Sequence, residues 1–226
     1  MRDCAETLRG IAVKARPRIT ILTGGLFLLI AAFAPLDTWG QRLFGRALGP
    51  NYSREVLWWI LTLGLYAYVL CVERRALSSI GFKRLRFLDI VLAVVTAALL
   101  VAGFIPIELL VFPWLHLHIN MGVYDMLKHT PFQYRVLLVT RAAVAEETIF
   151  RGYSIERLEE WSGSRLLAGA VTWAAFTYAH LQSWGAAQLI VAGYGGLLLT
   201  ILYLWRRNLG ANMLAHWLAD AAGFLL

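Results

Sequence analysis

Long apolar stretches alternate with short polar ones along almost the whole chain. Most of these stretches reach the roughly 17–25 residues that a helix needs to cross the hydrocarbon core of a bilayer. The pattern therefore predicts an all-α fold, a polytopic membrane helix bundle with about seven transmembrane helices. The predicted spans are 19–36, 56–72, 88–112, 132–155, 166–181, 185–205 and 209–226.

Two places in this arrangement are irregular. Pro106 is expected to kink the third span, because proline removes one of the hydrogen bonds within a helix. An eighth span, or a re-entrant piece, within 114–131 is the alternative to seven spans.

The composition agrees with a membrane protein. Of the 226 residues, 59% are hydrophobic and only 15% are charged, which excludes the soluble globular class. Spans of about 20 residues each leave no room for a sizeable soluble domain. We therefore predict a cytoplasmic basic tail at 1–18 and a single transmembrane bundle at 19–226.

The basic residues indicate membrane orientation rather than nucleic-acid binding. The net charge is +7, but the bases fall in short connections and are not interleaved with exposed aromatic residues on one face. Fourteen Lys and Arg lie in the N-terminal tail and in connections two, four and six, and about five lie on the other side. The positive-inside rule then puts the N-terminus in the cytoplasm and the C-terminus outside. The smaller group is Arg42, Arg46, Arg54, Lys128 and Arg135.

The fourth predicted span contains an unusual group of charges in the run AVAEETIFRGY. Glu146 and Glu147 are adjacent, and Arg151 follows four residues after Glu147, so Glu147 and Arg151 share a helical face and can pair. Glu146 points about 100° away, toward a different neighbour. Charges at this depth are costly and are commonly functional. The alternative is an interfacial helix whose charged side chains reach out to water.

Two later spans carry histidines. His180 lies in VTWAAFTYAHLQ, and Asn212, His216 and Asp220 recur every four residues in LGANMLAHWLAD, which gives one polar stripe that must face the bundle interior. The structural alternatives are an interfacial histidine and hydrogen bonding between helices. These groups occur only in the last four spans, and we expect none in the first two. Together, paired carboxylates and imidazoles in a bilayer indicate hydrolysis.

The three motifs resemble those of a known family. EETIFRG matches EExxxR, FTYAH matches FxxxH and HWLAD matches HxxxN/D of the CPBP family, the Abi or CAAX-protease-like intramembrane proteases related to the Ras-converting endopeptidase. The resemblance runs from about Val139 to Gly223, includes GYGG at 193–196, and keeps the family's order and spacing. It implies a protease-like core at about 132–226.

The resemblance also implies roles for the motif residues. Glu146 would activate a water molecule, with His180 sharing in its orientation or protonation. His216 and Asp220 would stabilise the oxyanion, and Glu147 and Arg151 would be the supporting pair. The prenyl endopeptidase pattern has Asn where this chain has Asp220. Asp220 must therefore be protonated, orient His216, or indicate a metal.

A zinc mechanism is the rival interpretation. His180, His216 and Glu146 would be a plausible Zn²⁺ set with one open position for water. We favour metal-independent catalysis with no cofactor, and Zn²⁺ remains the alternative. One expectation conflicts with simple spans: Glu146 lies mid-span, whereas His180 falls near the outer end of its span and His216 nearer the inner end. They meet only if helix five is shifted or tilted, or if the predicted boundaries are wrong.

Other function classes stay open at this point. The same fold could serve as a non-catalytic bacteriocin-immunity or binding protein, and a polytopic transporter is a third class that lacks support from any inverted repeat. The predicted partners are the lipid bilayer and a membrane-anchored or lipidated protein substrate, without nucleic acid. The short chain resembles a bacterial member, which predicts the bacterial inner membrane as its location.

Overall fold

The computed structural model of the protein describes residues 17–119, 122, 125 and 128–225. The described part is helical and contains no strand, which confirms the all-α helix bundle. Most of the predicted basic tail at 1–18 lies outside the described residues. So does part of 114–131, the site of the alternative eighth span.

Seven helices, several of them composite, follow one another in the described part of the chain. They are α1 (Pro17–Phe33), α2 (Leu36–Ala67 with a π-helical end, Tyr68–Val72), α3 (Phe87–Pro106, Ile107–Val111 and Phe112–Leu115), α4 (Phe132–Arg141, Ala142–Tyr153 and Ser154–Ser162), α5 (Arg165–Trp184), α6 (Ala187–Arg206) and α7 (Leu209–Phe224). A short 3₁₀ turn, Leu77–Ile80, lies between α2 and α3.

Three stretches of the described residues are long and apolar enough to cross a membrane. They are Asn51–Val72, Phe87–Leu115 and Ala187–Arg206. The helices α1 and α7 have 17 and 16 residues, and α4 carries several charges, so length and composition alone do not identify these three as spans. The protein is an integral membrane protein, and the count of seven spans stays a prediction.

Two predicted boundaries are wrong by several residues. The second predicted span begins at Asn51 instead of 56, just after a kink in α2 at Gly49, whose φ is +75°. Helix α4 continues to Ser162 instead of 155.

Pro106 produces a local change of helix type. It ends the α-helical part of α3, and the π-helical turn Ile107–Val111 follows directly. A proline has no N–H to donate, so the regular i→i−4 pattern cannot continue through it. The irregularity predicted at this position therefore takes the form of a π-helical turn.

Helix α4 lies at the centre of the bundle although its sequence is the least apolar. It contacts α1, α2, α5 and α7, and nearly every side chain from Ala142 to Ile155 is buried or half-buried. At Gly152 a Cβ would lie only 2.7 Å from the carbonyl oxygen of Ile80, so a glycine allows α4 to pack directly on the 3₁₀ turn. The charges of the fourth predicted span are thus inside the protein, which contradicts the interfacial alternative.

One charge assigned to a connecting loop is also buried. Arg157 lies in the last part of α4, and its Nη2 is 2.5 Å from Oε2 of Glu73. The hydroxyl of Tyr153 donates to Oε1 of the same glutamate at 2.9 Å. This cluster, the Glu73 cluster, ties the end of α2 to α4 below the centre of the bundle.

Candidate active site

The middle of α4 is π-helical, and this changes which side chains share a face. In an α-helix, residues five apart point about 140° away from each other. A π-helix hydrogen-bonds from i to i+5, so such residues lie nearly one above the other. Arg141 immediately precedes the π-helical stretch Ala142–Tyr153, and its Nη1 donates to Oε1 of Glu146 at 3.0 Å. Glu146 is therefore held by an arginine of its own helix.

Glu147 is completely buried and has three polar partners. Its Oε1 accepts from Nη1 of Arg151 at 2.7 Å and lies 2.8 Å from Nδ1 of His216. Its Oε2 accepts from the amide of Asn212 at 3.1 Å. The ion pair expected from the i,i+4 spacing forms, and Glu147 joins α4 to the polar stripe of α7. A buried carboxylate with this many donors compensates for the loss of its hydration.

Phe176 supports Arg151 from the side of α5. The guanidinium carbon lies 4.0 Å from the centre of the Phe176 ring, a cation–π contact in a desolvated place. Nη2 of Arg151 also donates to the carbonyl of Gly196 at 3.2 Å. A Cβ at Gly196 would come within 2.8 Å of Phe176, so the small-residue stretch of α6 lets the ring approach.

Glu146 and His180 face each other across a gap. Oε2 of Glu146 is 4.0 Å from Nε2 of His180, too far for a direct hydrogen bond and suited to a bridging water. Nδ1 of His180 lies 2.8 Å from the carbonyl of Phe176, which can only accept. This contact assigns the proton to Nδ1 and leaves Nε2 as an acceptor on the Glu146 side. Both side chains are partly accessible, 13% for Glu146 and 20% for His180.

His216 lies between two carboxylates. Its Nδ1 contacts Glu147, and its Nε2 is 3.5 Å from Oδ2 of Asp220, one turn further along α7. Asn212 and His216 are buried, whereas Asp220 is about a quarter exposed, so the polar stripe of α7 faces inward as expected.

Two cavities meet at His180. A cavity of about 400 Å³, here called the apolar cavity, is lined mainly by α3, α6 and α7 and reaches His216, Asp220 and Phe176. A cavity of about 270 Å³, here called the polar cavity, is lined by Arg54, Arg141, Glu146 and the turn between α1 and α2. His180 lines both of them. The candidate site thus has an apolar side and a polar side.

The six predicted site residues form two groups. Glu147, Arg151, His216 and Asp220 make one continuous network, and Glu146 with His180 makes the other. Phe176 separates the groups, since its ring contacts Arg151 and lies 4.6 Å from the His180 ring and 6.5 Å from that of His216. Glu146 and His180 thus come within 4.0 Å of each other despite their predicted span positions, whereas His216 belongs to the other group.

The three side chains proposed as zinc ligands do not lie close together in the structure. No three His, Cys, Asp or Glu side chains come together as a metal-binding group among the described residues. His180, His216 and Glu146 are accordingly not gathered around one point.

Sequence reasoning missed two residues of the site, Arg141 and Glu55. Nε of Arg141 is 2.7 Å from Oε2 of Glu55, and both side chains are buried. The second predicted span began at 56 and so left Glu55 just outside, whereas Glu55 lies within the apolar stretch Asn51–Val72. Arg54, assigned to a loop, also belongs to α2 and lines the polar cavity. The signal in the sequence was the pair Arg54-Glu55 at the start of an apolar run.

The chain was compared with models of protein families. Residues 128–222 match the model described as Rce1-like, Type II CAAX prenyl endopeptidase. The match covers the three motifs and confirms the resemblance stated from them. No curated protein and no solved structure matches the chain.

Proposed function

We propose that this chain is an intramembrane endopeptidase with a glutamate base, because residues 128–222 match the model of a CAAX-protease-like membrane protein family. The family match supports a CAAX-type intramembrane endopeptidase in general. The assignment of residues to steps, and the substrate class, are our inference. In this proposal the protein cuts a peptide bond of a membrane-anchored or lipidated protein.

The observation that carries the proposal is the gap of 4.0 Å between Glu146 and His180 at the junction of the two cavities. A water molecule in this gap would donate to Oε2 of Glu146 and to Nε2 of His180. Glu146 takes a proton from this water as the oxygen attacks the carbonyl carbon of the scissile bond. Glu146 then returns the proton to the leaving amine when the C–N bond breaks.

The negative charge on the carbonyl oxygen would be stabilised from the α7 side. His216 and Asp220 line the apolar cavity, and we assign the ring N–H of His216 to the oxyanion. Of the three possibilities for Asp220, the contact of 3.5 Å with Nε2 of His216 supports an orienting role. Glu147, Arg151 and Asn212 would fix the position of His216 from behind.

The two cavities suggest how reactants reach the site. The apolar cavity has the size of a small-ligand site and walls of Leu100, Phe104 and Ile105, which suit an apolar segment or a lipid chain of the substrate. The polar cavity, with Arg54, Arg141 and Glu146, suits the entry of water. We place the protein in a bacterial plasma membrane, with the N-terminus in the cytoplasm as the loop charges predict.

Cleavage of defined peptides in liposomes tests the proposal. The panel contains a prenylated C-terminal peptide, an acylated N-terminal peptide and a single-span peptide, and products are identified by mass spectrometry. Wild type is compared with Glu146→Gln and with Glu108→Gln, a control at an exposed glutamate of α3. We expect cleavage of at least one class by wild type and the control, and none by Glu146→Gln.

Two outcomes would contradict the proposal. Cleavage by Glu146→Gln at the wild-type rate would exclude Glu146 as the general base. Binding of a panel peptide by wild type without any cleavage would favour the non-catalytic binding protein instead.

A further inference from the structure

A buried carboxylate of α2, outside the stretch that matches the family, reaches the candidate base through one arginine. Glu55 is 1% exposed although it lies within a span of high hydropathy. Its Oε1 accepts from Nε of Arg54 at 3.1 Å and from the hydroxyl of Tyr134 at 3.4 Å, and its Oε2 accepts from Arg141. A charge at such a place is costly unless it is paired, and it commonly has a function.

Arg141 is shared between Glu55 and Glu146. Its Nε contacts Glu55 at 2.7 Å, and its Nη1 contacts Oε1 of Glu146 at 3.0 Å. The guanidinium carbon lies 5.4 Å from the centre of the Trp58 ring. Because the guanidinium is planar and its donors form a rigid fork, a partner on one edge fixes the direction of the other edge. The orientation of Glu146 thus depends on Glu55.

We propose that Glu55 is a positioning residue of the protease, which holds Arg141 so that one oxygen of Glu146 is engaged and the other stays turned toward His180. The inference rests on the proposed function of Glu146. Glu55 also balances the charge of Arg141, so that Glu146 does not have to neutralise this arginine alone. Without Glu55, the whole attraction of Arg141 falls on Glu146, which is drawn away from His180 and becomes a weaker base.

The charged and titratable groups around Glu146 come from three helices. Arg141 and Arg151 belong to its own helix, His180 to α5, and Arg54 lines the same cavity from α2. Loss of the Glu55 charge leaves this set more positive. Arg141 then binds Glu146 more strongly, and Oε2 of Glu146 is less available to a water beside His180.

The test compares Glu55→Gln and Glu55→Asp with the matched control Glu73→Gln. Glu73 is also a buried glutamate bound to an arginine, Arg157, and it lines neither cavity. We expect Glu55→Gln to lower kcat by about tenfold or more, with KM changed by less than about threefold. Glu55→Asp, which keeps the charge, should restore part of the rate, and Glu73→Gln should change neither kcat nor KM.

The result that would overturn the inference is a Glu55→Gln enzyme with the kcat and KM of the Glu73→Gln control. If Glu146→Gln is inactive in the same assay, the proposed function stands and only the role of Glu55 falls. If Glu146→Gln cleaves normally, the proposed function itself fails.

A thermal-unfolding cycle decides the coupling without reference to activity. Glu55 and Glu146 bind the same arginine, so the changes in Tm of Glu55→Gln and Glu146→Gln should not add in the double variant. The changes in Tm of Glu73→Gln and Glu146→Gln should add, because these glutamates share no partner. Additive changes in Tm for Glu55→Gln and Glu146→Gln would overturn the positioning role. This test holds even if none of the panel peptides is cleaved.

Discussion

Removal of the Arg151 side-chain charge should destabilise the protein strongly, because it leaves a buried carboxylate without its cation. The substitution Arg151→Met keeps most of the side-chain volume. It removes the 2.7 Å ion pair with Glu147, the hydrogen bond to Gly196 and the contact with the Phe176 ring. Glu147 keeps Asn212 and His216 as partners but remains completely enclosed.

The expected size follows from the burial of both partners, which are 1% and 0% exposed. Removing one member of a buried pair costs about 3–5 kcal/mol, because the other charge stays unpaired in a poorly solvating place. For a chain of this length, 1 kcal/mol corresponds to about 2–4 °C in Tm, so Arg151→Met should lower Tm by about 6–20 °C. The exposed pair Arg165–Glu159 is the contrast, since Arg165→Met should cost at most about 1 kcal/mol.

Thermal unfolding in one detergent, followed by circular dichroism at pH 7, measures both variants beside wild type. The double variant Glu147→Gln/Arg151→Met should unfold at a higher temperature than Arg151→Met, because the unpaired charge is gone. A Tm for Arg151→Met equal to that of Arg165→Met would refute the reasoning. So would a double variant that is less stable than either single one.

Three further predictions concern packing, the oxyanion side and metal dependence. Gly196→Ala should reduce the cleavage rate at least about tenfold, because the added Cβ would lie 2.8 Å from Phe176. Gly195→Ala makes only an ordinary contact and should cleave at the wild-type rate, so equal rates for the two variants in a peptide assay would contradict this prediction. Asp220→Asn should keep most of kcat by holding His216, and Asp220→Leu should lose about 100-fold; equal loss in both would mean that the carboxylate charge itself is required. Exhaustive chelation should leave the cleavage rate unchanged, and a loss that Zn²⁺ restores would establish the metal mechanism instead.

The sequence predicted the fold class and most helices because apolar stretches of this length have few alternatives to a membrane bundle. It failed at helix ends where polar residues are buried. Arg157 was assigned to a connection by its charge, yet inside the protein it pairs with Glu73. Such pairing is a property of the tertiary structure and leaves no local pattern.

Some contacts of the candidate site could be predicted from the sequence and others could not. Glu147 with Arg151, and Asn212 with His216, are four residues apart, so their shared faces could be predicted from α-helical spacing. The ion pair of Glu147 with Arg151 forms even though this part of α4 is π-helical. The contact of Arg141 with Glu146 could not be predicted, because it requires π-helical geometry, and nothing in the spacing indicated that helix type. Glu55 was missed since its partner is 86 residues away along the chain.

The central claim is that Glu146 is the base that activates water. Its most direct test is kcat for Glu146→Gln at saturating concentrations of a cleaved peptide, with the Tm measured to show that the variant is folded. Our account predicts a fall in kcat of at least about 100-fold, the usual contribution of a general base, with peptide binding retained. A folded Glu146→Gln enzyme with the wild-type kcat would contradict the account.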